Sequence, residues 1–115
     1  MINSDGISVV IPVLNEESNL PFLYKKLKDV LLAQSLPYEL IFVDDGSTDK
    51  SMSVINSLHA QDPNVKLLSF SRNFGHQAAL SAGMDFSTGK AVLFMDADLQ
   101  HPPELISELI RKWQE

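Results

Sequence analysis

Residues 7–45, ISVVIPVLNEESNLPFLYKKLKDVLLAQSLPYELIFVDD, decide the fold. Ile7 to Val13 is a nearly continuous β-branched run, the pattern of a strand buried on both faces. Leu20, Leu23, Leu27, Val30 and Leu31 then recur at three- and four-residue spacing, which marks an amphipathic helix. Asn19 stands where an N-cap belongs, and Pro21 suits a first turn because its missing N–H is not needed there. Behind Pro37, Glu39 to Val43 is a second strand. A strand, a helix and a strand in this order form a crossover unit, which makes the two strands parallel.

The same alternation continues outward. A polar turn, Asp44 to Asp49, leads to a helix carrying Met52, Ile55 and Leu58, which Pro63 stops. Either Ser47 or Thr48 is suited to cap that helix. Val65 to Phe70 is a third strand. Gly75 to Phe86 is a helix with small residues on one face, Ala78, Ala79, Ala82 and Gly83, so it can lie close to a sheet. Gly89 turns the chain into a fourth strand, Ala91 to Met95. A final helix, about Pro103 to Trp113, turns Leu105, Ile106, Leu109, Ile110 and Trp113 inward. Met52, Met84 and Met95 read as core filler. The order βαβαβαβα predicts an α/β, doubly wound, mainly parallel sheet with helices on both faces. The fourth strand is expected to lack a neighbour on one side, and such an edge favours self-association.

Bulk properties narrow the function. The 115 residues suit one domain, residues 1–115, with 44% hydrophobic and 21% charged residues. A formal charge of −6 argues against nucleic acid, whose phosphates demand clustered Lys and Arg. With no cysteine there is no disulfide or zinc–thiolate chemistry. No apolar run reaches the length of a membrane span, and the first residues lack a signal peptide's basic region. A cytoplasmic location is the expectation.

Open parallel sheets bind ligands at the carboxyl ends of their strands. Those ends are chemically unusual here. They carry Pro12-Val13-Leu14-Asn15-Glu16, Asp44-Asp45-Gly46-Ser47, Ser71-Arg72-Asn73-Phe74-Gly75 and Asp96-Ala97-Asp98-Leu99-Gln100. Asp96 and Asp98, with small Ala97 between them, can both reach one ion. At about 6 Å and an effective dielectric near 20, their repulsion is of order 3 kcal/mol, which a divalent cation relieves. Oxygen ligands select Mg²⁺ or Mn²⁺, and Gln100 can add a neutral oxygen. The alternative is that both Asp residues cap the helix that follows. One of Asp44 and Asp45 can accept hydrogen bonds from a base or ribose, or both can serve the turn. Arg72 can clamp phosphate or lie free at the surface. His59, His76 and His101 are scattered and read as surface or capping residues. Glycine-rich phosphate cradles are absent, so carboxylates and a metal must take that role.

Four stretches together, VVIPVLNEESNL, ELIFVDDGSTD, SFSRNFGHQAALSAG and LFMDADLQHPPEL, resemble the GT-A fold, inverting glycosyltransferases of family 2. Within that family they resemble the branch of dolichol-phosphate mannosyltransferases and bactoprenol glucosyltransferases. The resemblance covers nearly the whole chain. It implies that Pro12, Leu14 and Glu16 line a nucleotide pocket, that Val43 and Asp45 flank the base, and that Asp96, Asp98 and Gln100 hold the metal. Asn15, Asp44, Ser47, Arg72 and Ala97, at the same strand ends, are counted with the donor-binding residues. His76-Gln77 departs from the Lys-Glu of many relatives.

The reaction implied is displacement at the anomeric carbon of a UDP- or GDP-sugar, with inversion, onto a polyprenyl phosphate or a glycan. The metal stabilises the leaving diphosphate. Relatives continue past this point with acceptor-binding and membrane-attaching segments. The expectation is a shortened domain that binds donor but transfers inefficiently, its catalytic base lying elsewhere; the whole protein would associate with the cytoplasmic face of a membrane. The alternative is a non-catalytic binding or interaction module. Haloacid-dehalogenase-like enzymes and receiver domains fit less well, because their acidic motifs follow the first strand.

Overall fold

The computed structural model describes residues 6–34, 36–97 and 105–114, with side chains in the last segment described for 107–112. Its elements are β1 (Ile7–Val13), α1 (Leu20–Ala33), β2 (Tyr38–Asp44), α2 (Ser51–Gln61), β3 (Val65–Ser69), α3 (His76–Phe86), β4 (Ala91–Phe94) and α4 (Leu105–Gln114). The four strands form one sheet in the order β3-β2-β1-β4, and every pair is parallel. This is the α/β class read from the sequence, with element boundaries moved by one or two residues.

The period-two alternation of strands separates two cores. Ile7, Val9, Ile11 and Val13 of β1, with Leu40 and Phe42 of β2, face α1, α2 and α4. Val10, Ile41 and Val43 face the opposite side, where Ala79 of α3 is buried. Both faces of β1 are covered, which is why its sequence is apolar without a break. Leu20, Leu23, Leu27 and Leu31 of α1 are all fully buried against the first of these cores. Each such side chain adds roughly 1.5–3 kcal/mol over an exposed one.

Small residues set how closely α3 approaches the sheet. Ala79 and Gly83 form its buried face, and a Cβ on Gly83 would collide with the methyl groups of Val10. At the far end of the sheet, the buried carboxylate of Glu39 accepts from Ser8 Oγ (2.7 Å), Thr88 N–H (2.8 Å) and Thr88 Oγ1 (3.1 Å). A carboxyl group inside a strand is tolerated because these donors satisfy its Oε2. Asp62, buried after α2, takes the Tyr24 hydroxyl at 2.7 Å and the Asn64 N–H at 3.0 Å, with Lys28 at 3.7 Å. Burial works to raise its pKa, but these donors and the lysine charge together hold it below the ordinary carboxylate range.

Several local expectations are corrected. Asn19 occupies the N-cap position in a helical conformation and caps nothing; its amide donates to Glu16 Oε2 instead. Neither Ser47 nor Thr48 caps α2. The helix starts later than the polar turn suggested: Lys50 holds the N-cap position without a side-chain cap bond, and Asp49 before it accepts from Ser51 N–H at 2.9 Å. Met84 is 51% exposed rather than core, since Gly83 beside it takes the sheet-facing position. Leu109 is 50% exposed while its neighbour Ile110 is buried against the α1 side, a turn of about 100° separating successive helical residues. The side chains of Leu105, Ile106 and Trp113 lie outside the described residues.

Candidate functional site

The strand order reverses between β1 and β4, the switch point at which open parallel sheets bind ligands. The pairing there is short. β4 matches β1 only from Ile7↔Ala91 to Val10↔Phe94, with one further bond from Met95 N–H to the Val10 carbonyl. β1 runs on through Val13 while β4 leaves the sheet, and a crevice opens between the two strand ends. A cavity of about 480 Å³ occupies it, within the usual size for a small-molecule site.

Pro12, Val13, Leu14 and Glu16 line this cavity from β1, Asp45 from the end of β2, Asn73, Gly75 and His76 from the start of α3, and Asp96 and Ala97 from the end of β4. Pro12, Leu14, Glu16, Asp45, Asp96 and Ala97 were all read from the sequence as site residues, and the fold brings them to one place. The Asp96 side chain is 39% exposed, and His76 Nε2 lies 3.8 Å from its Oδ1. That separation is too long for a hydrogen bond. Among the described residues Asp96 thus presents free carboxylate oxygens to the cavity, the donor type that Mg²⁺ or Mn²⁺ takes. Asp98 and Gln100, the other residues read as metal ligands, lie outside the described residues. No group of three metal-capable side chains occurs among the described ones.

Other sequence-read residues hold the loops around the cavity. Asn15 has φ of 55°, a left-handed conformation that Asn tolerates better than most residues. Its Oδ1 accepts from Thr48 N–H (2.8 Å) and Asp49 N–H (3.2 Å), and its own N–H donates to Ser47 Oγ (2.9 Å). Asn15 and Ser47 thereby join the loop after β1 to the loop after β2. Val43 is fully buried on the α3 side of the sheet and does not line the cavity. Asp44 is also buried; Oδ2 accepts from Ser47 N–H at 3.3 Å, and Oδ1 has no partner among the described residues. Arg72 is exposed, with its guanidinium 4.7 Å from the centre of the Phe74 ring, outside the cavity lining.

Asp45 has a role that composition did not disclose. It is 4% exposed, and its two oxygens accept from Phe74 N–H (2.7 Å) and Gly75 N–H (3.1 Å). Gly46 follows at φ 79°, and a Cβ there would lie 2.5 Å from the Arg72 carbonyl carbon. The two loops are in backbone contact, and Gly75 at φ 105° turns the chain from the clamp into α3. The Asp-Gly turn and the Arg-Asn-Phe-Gly segment therefore act as one unit that sets the cavity's wall. Asn73, Gly75 and His76 were missed as lining residues because nothing in local sequence shows which way that segment folds back.

A family model described as "Glycosyl transferase family 2" matches residues 8–115. The chain belongs to glycosyl transferase family 2. An "uncharacterized glycosyltransferase YkcC" of Bacillus subtilis (strain 168) is 51% identical over 108 residues, which cover 94% of this chain and 33% of the relative. The "prophage bactoprenol glucosyl transferase homolog" of Escherichia coli (strain K12) is 48% identical over 108 residues, covering 94% of this chain and 35% of the relative. The chain spans about a third of the length of the curated relatives it matches.

Among solved structures, S. aureus TarS 1–349 in complex with UDP superposes with a TM-score of 0.65 at 27% identity, over 81% of this chain and 27% of the TarS 1–349 chain. The mannosyltransferase PcManGT of Pyrobaculum calidifontis, solved with GDP-Man and Mn²⁺, gives 0.64 at 24% identity, over 85% of this chain and 30% of that one. The architecture is the GT-A glycosyltransferase fold. No described helix is long and apolar enough to cross a membrane.

Proposed function

We propose that this chain forms the donor site of a glycosyltransferase, taking a UDP- or GDP-sugar in the cavity between β1 and β4. The observation that carries the proposal is the convergence of Pro12, Leu14, Glu16, Asp45, Asp96 and Ala97 on one cavity at the switch point. Family membership and the UDP complex of TarS support a nucleotide-sugar there. Asp96, joined by Asp98 and Gln100, would hold Mg²⁺ or Mn²⁺; a bound cation supplies charge stabilisation for a leaving diphosphate. The residues of the chain do the rest. Leu14 and Pro12 offer an apolar wall for the flat base, and Asp45 keeps the opposite wall in place.

Transfer proceeds, on this reading, by in-line attack at the anomeric carbon with inversion. The acceptor class favoured by the bactoprenol-related relatives is a polyprenyl phosphate. Its second pKa near 6 leaves that nucleophile ionised at neutral pH, so it requires less help from a base than a sugar hydroxyl does. A whole protein with such an acceptor works at a membrane's cytoplasmic face. Calorimetric titration with UDP, GDP and their sugar conjugates, with and without Mn²⁺, tests the donor assignment. Metal-dependent binding of one nucleotide is expected, whereas metal-indifferent binding points instead to a non-catalytic binding module.

Self-association is a further part of the proposal. Among the described residues β4 pairs only with β1, and Phe94 at this edge is 43% exposed. Open strand edges pair with one another. Light scattering over rising concentration is expected to show dimers or larger species, and a constant monomer mass argues against pairing through β4.

A further inference from the structure

Among the described residues the cavity is lined by three carboxylates, Glu16, Asp45 and Asp96, yet its proposed ligand carries a diphosphate. Asp45 is occupied by two backbone N–H groups, and Glu16 accepts from the Asn19 amide at 2.7 Å. Arg72 does not line the cavity. Among the described residues the one imidazole that does is His76, whose side chain is 58% exposed. Its Nε2 stands 3.8 Å from Asp96 Oδ1, too far to bond that carboxylate and near enough to share a ligand with it.

We propose that His76 is a positioning residue that donates a hydrogen bond to the donor's diphosphate beside Asp96. The inference rests on the donor-site reading above. With its proton on Nε2, the neutral imidazole can donate this bond. The ring is set at the first residue of α3, and the Asp45 clamp on Gly75 fixes where that residue begins. His76 therefore discriminates by phosphate count, and the walls formed by Pro12 and Leu14 recognise the nucleoside.

The experiment is calorimetry of UDP, UMP, GDP and GMP, each with Mn²⁺, on the wild-type chain and on His76→Ala, His76→Lys and His76→Phe. For whichever nucleoside binds, His76→Ala is expected to weaken the diphosphate about tenfold and the monophosphate less than twofold. Lysine is expected to restore most of the loss and phenylalanine none. Equal weakening of both ligands, or full diphosphate affinity in His76→Ala, overturns the role given to His76 while leaving the donor site standing. Absence of nucleotide binding by folded wild-type chain overturns the donor-site reading, and this inference with it.

Discussion

Asp45→Ala is expected to abolish measurable nucleotide binding and to destabilise the chain by about 3–5 kcal/mol. The carboxylate is buried, and its two oxygens satisfy the N–H groups of Phe74 and Gly75 at 2.7 and 3.1 Å. Hydrogen bonds to a charged group contribute about 1.5–3 kcal/mol each, and removing this acceptor leaves two donors unmet. The effect reaches the site because Asn73, Gly75 and His76, which line the cavity, hang from that clamp. Asp45→Asn keeps one acceptor oxygen and is expected to fall between wild type and alanine. Urea denaturation measures the stability, and titration with nucleotide and Mn²⁺ measures the site. A variant with wild-type stability would show that the clamp does not hold the loop.

The second large effect is at Gly83, where Gly83→Val is expected to cost about 3 kcal/mol or more. Two opposing terms decide the sign. Glycine within a helix is worse than alanine by about 1 kcal/mol, so an added side chain ought to help α3. Sterics win here, because the first added carbon collides with Val10. Val10 is fully buried in β1, which is paired on both sides by β2 and β4, so it has no room to yield. The double variant Gly83→Ala with Val10→Ala is expected to recover part of the loss of Gly83→Ala alone, the coupling that contacting residues show. Additive losses in that thermal-denaturation cycle would place the collision elsewhere.

These two positions mark how far sequence alone reached. β1 and α1 were legible because burial on both faces and a leucine stripe leave unmistakable periodicities. The small residues of α3 signalled close packing, although only the fold pairs Gly83 with Val10. Asp96 and Ala97 were legible as residues of the cavity because they end a strand at the carboxyl edge of a parallel sheet. Asn15, Ser47 and Asp45 show the limit. Polar residues at strand ends look alike in sequence whether they bind a ligand or another loop, and partners here lie about thirty residues apart. His76 was passed over for the same reason, since a lone histidine gains meaning only from the Asp96 beside it.

The proposed metal-dependent nucleotide site between β1 and β4 turns on Asp96. Titrating the wild-type chain and Asp96→Ala with UDP and GDP, each with Mn²⁺ and with chelator, tests it most directly. Wild type is expected to bind one nucleotide in a manner that chelator removes, and Asp96→Ala to lose at least tenfold in affinity with its fold intact. Unchanged, metal-dependent affinity in Asp96→Ala would contradict it.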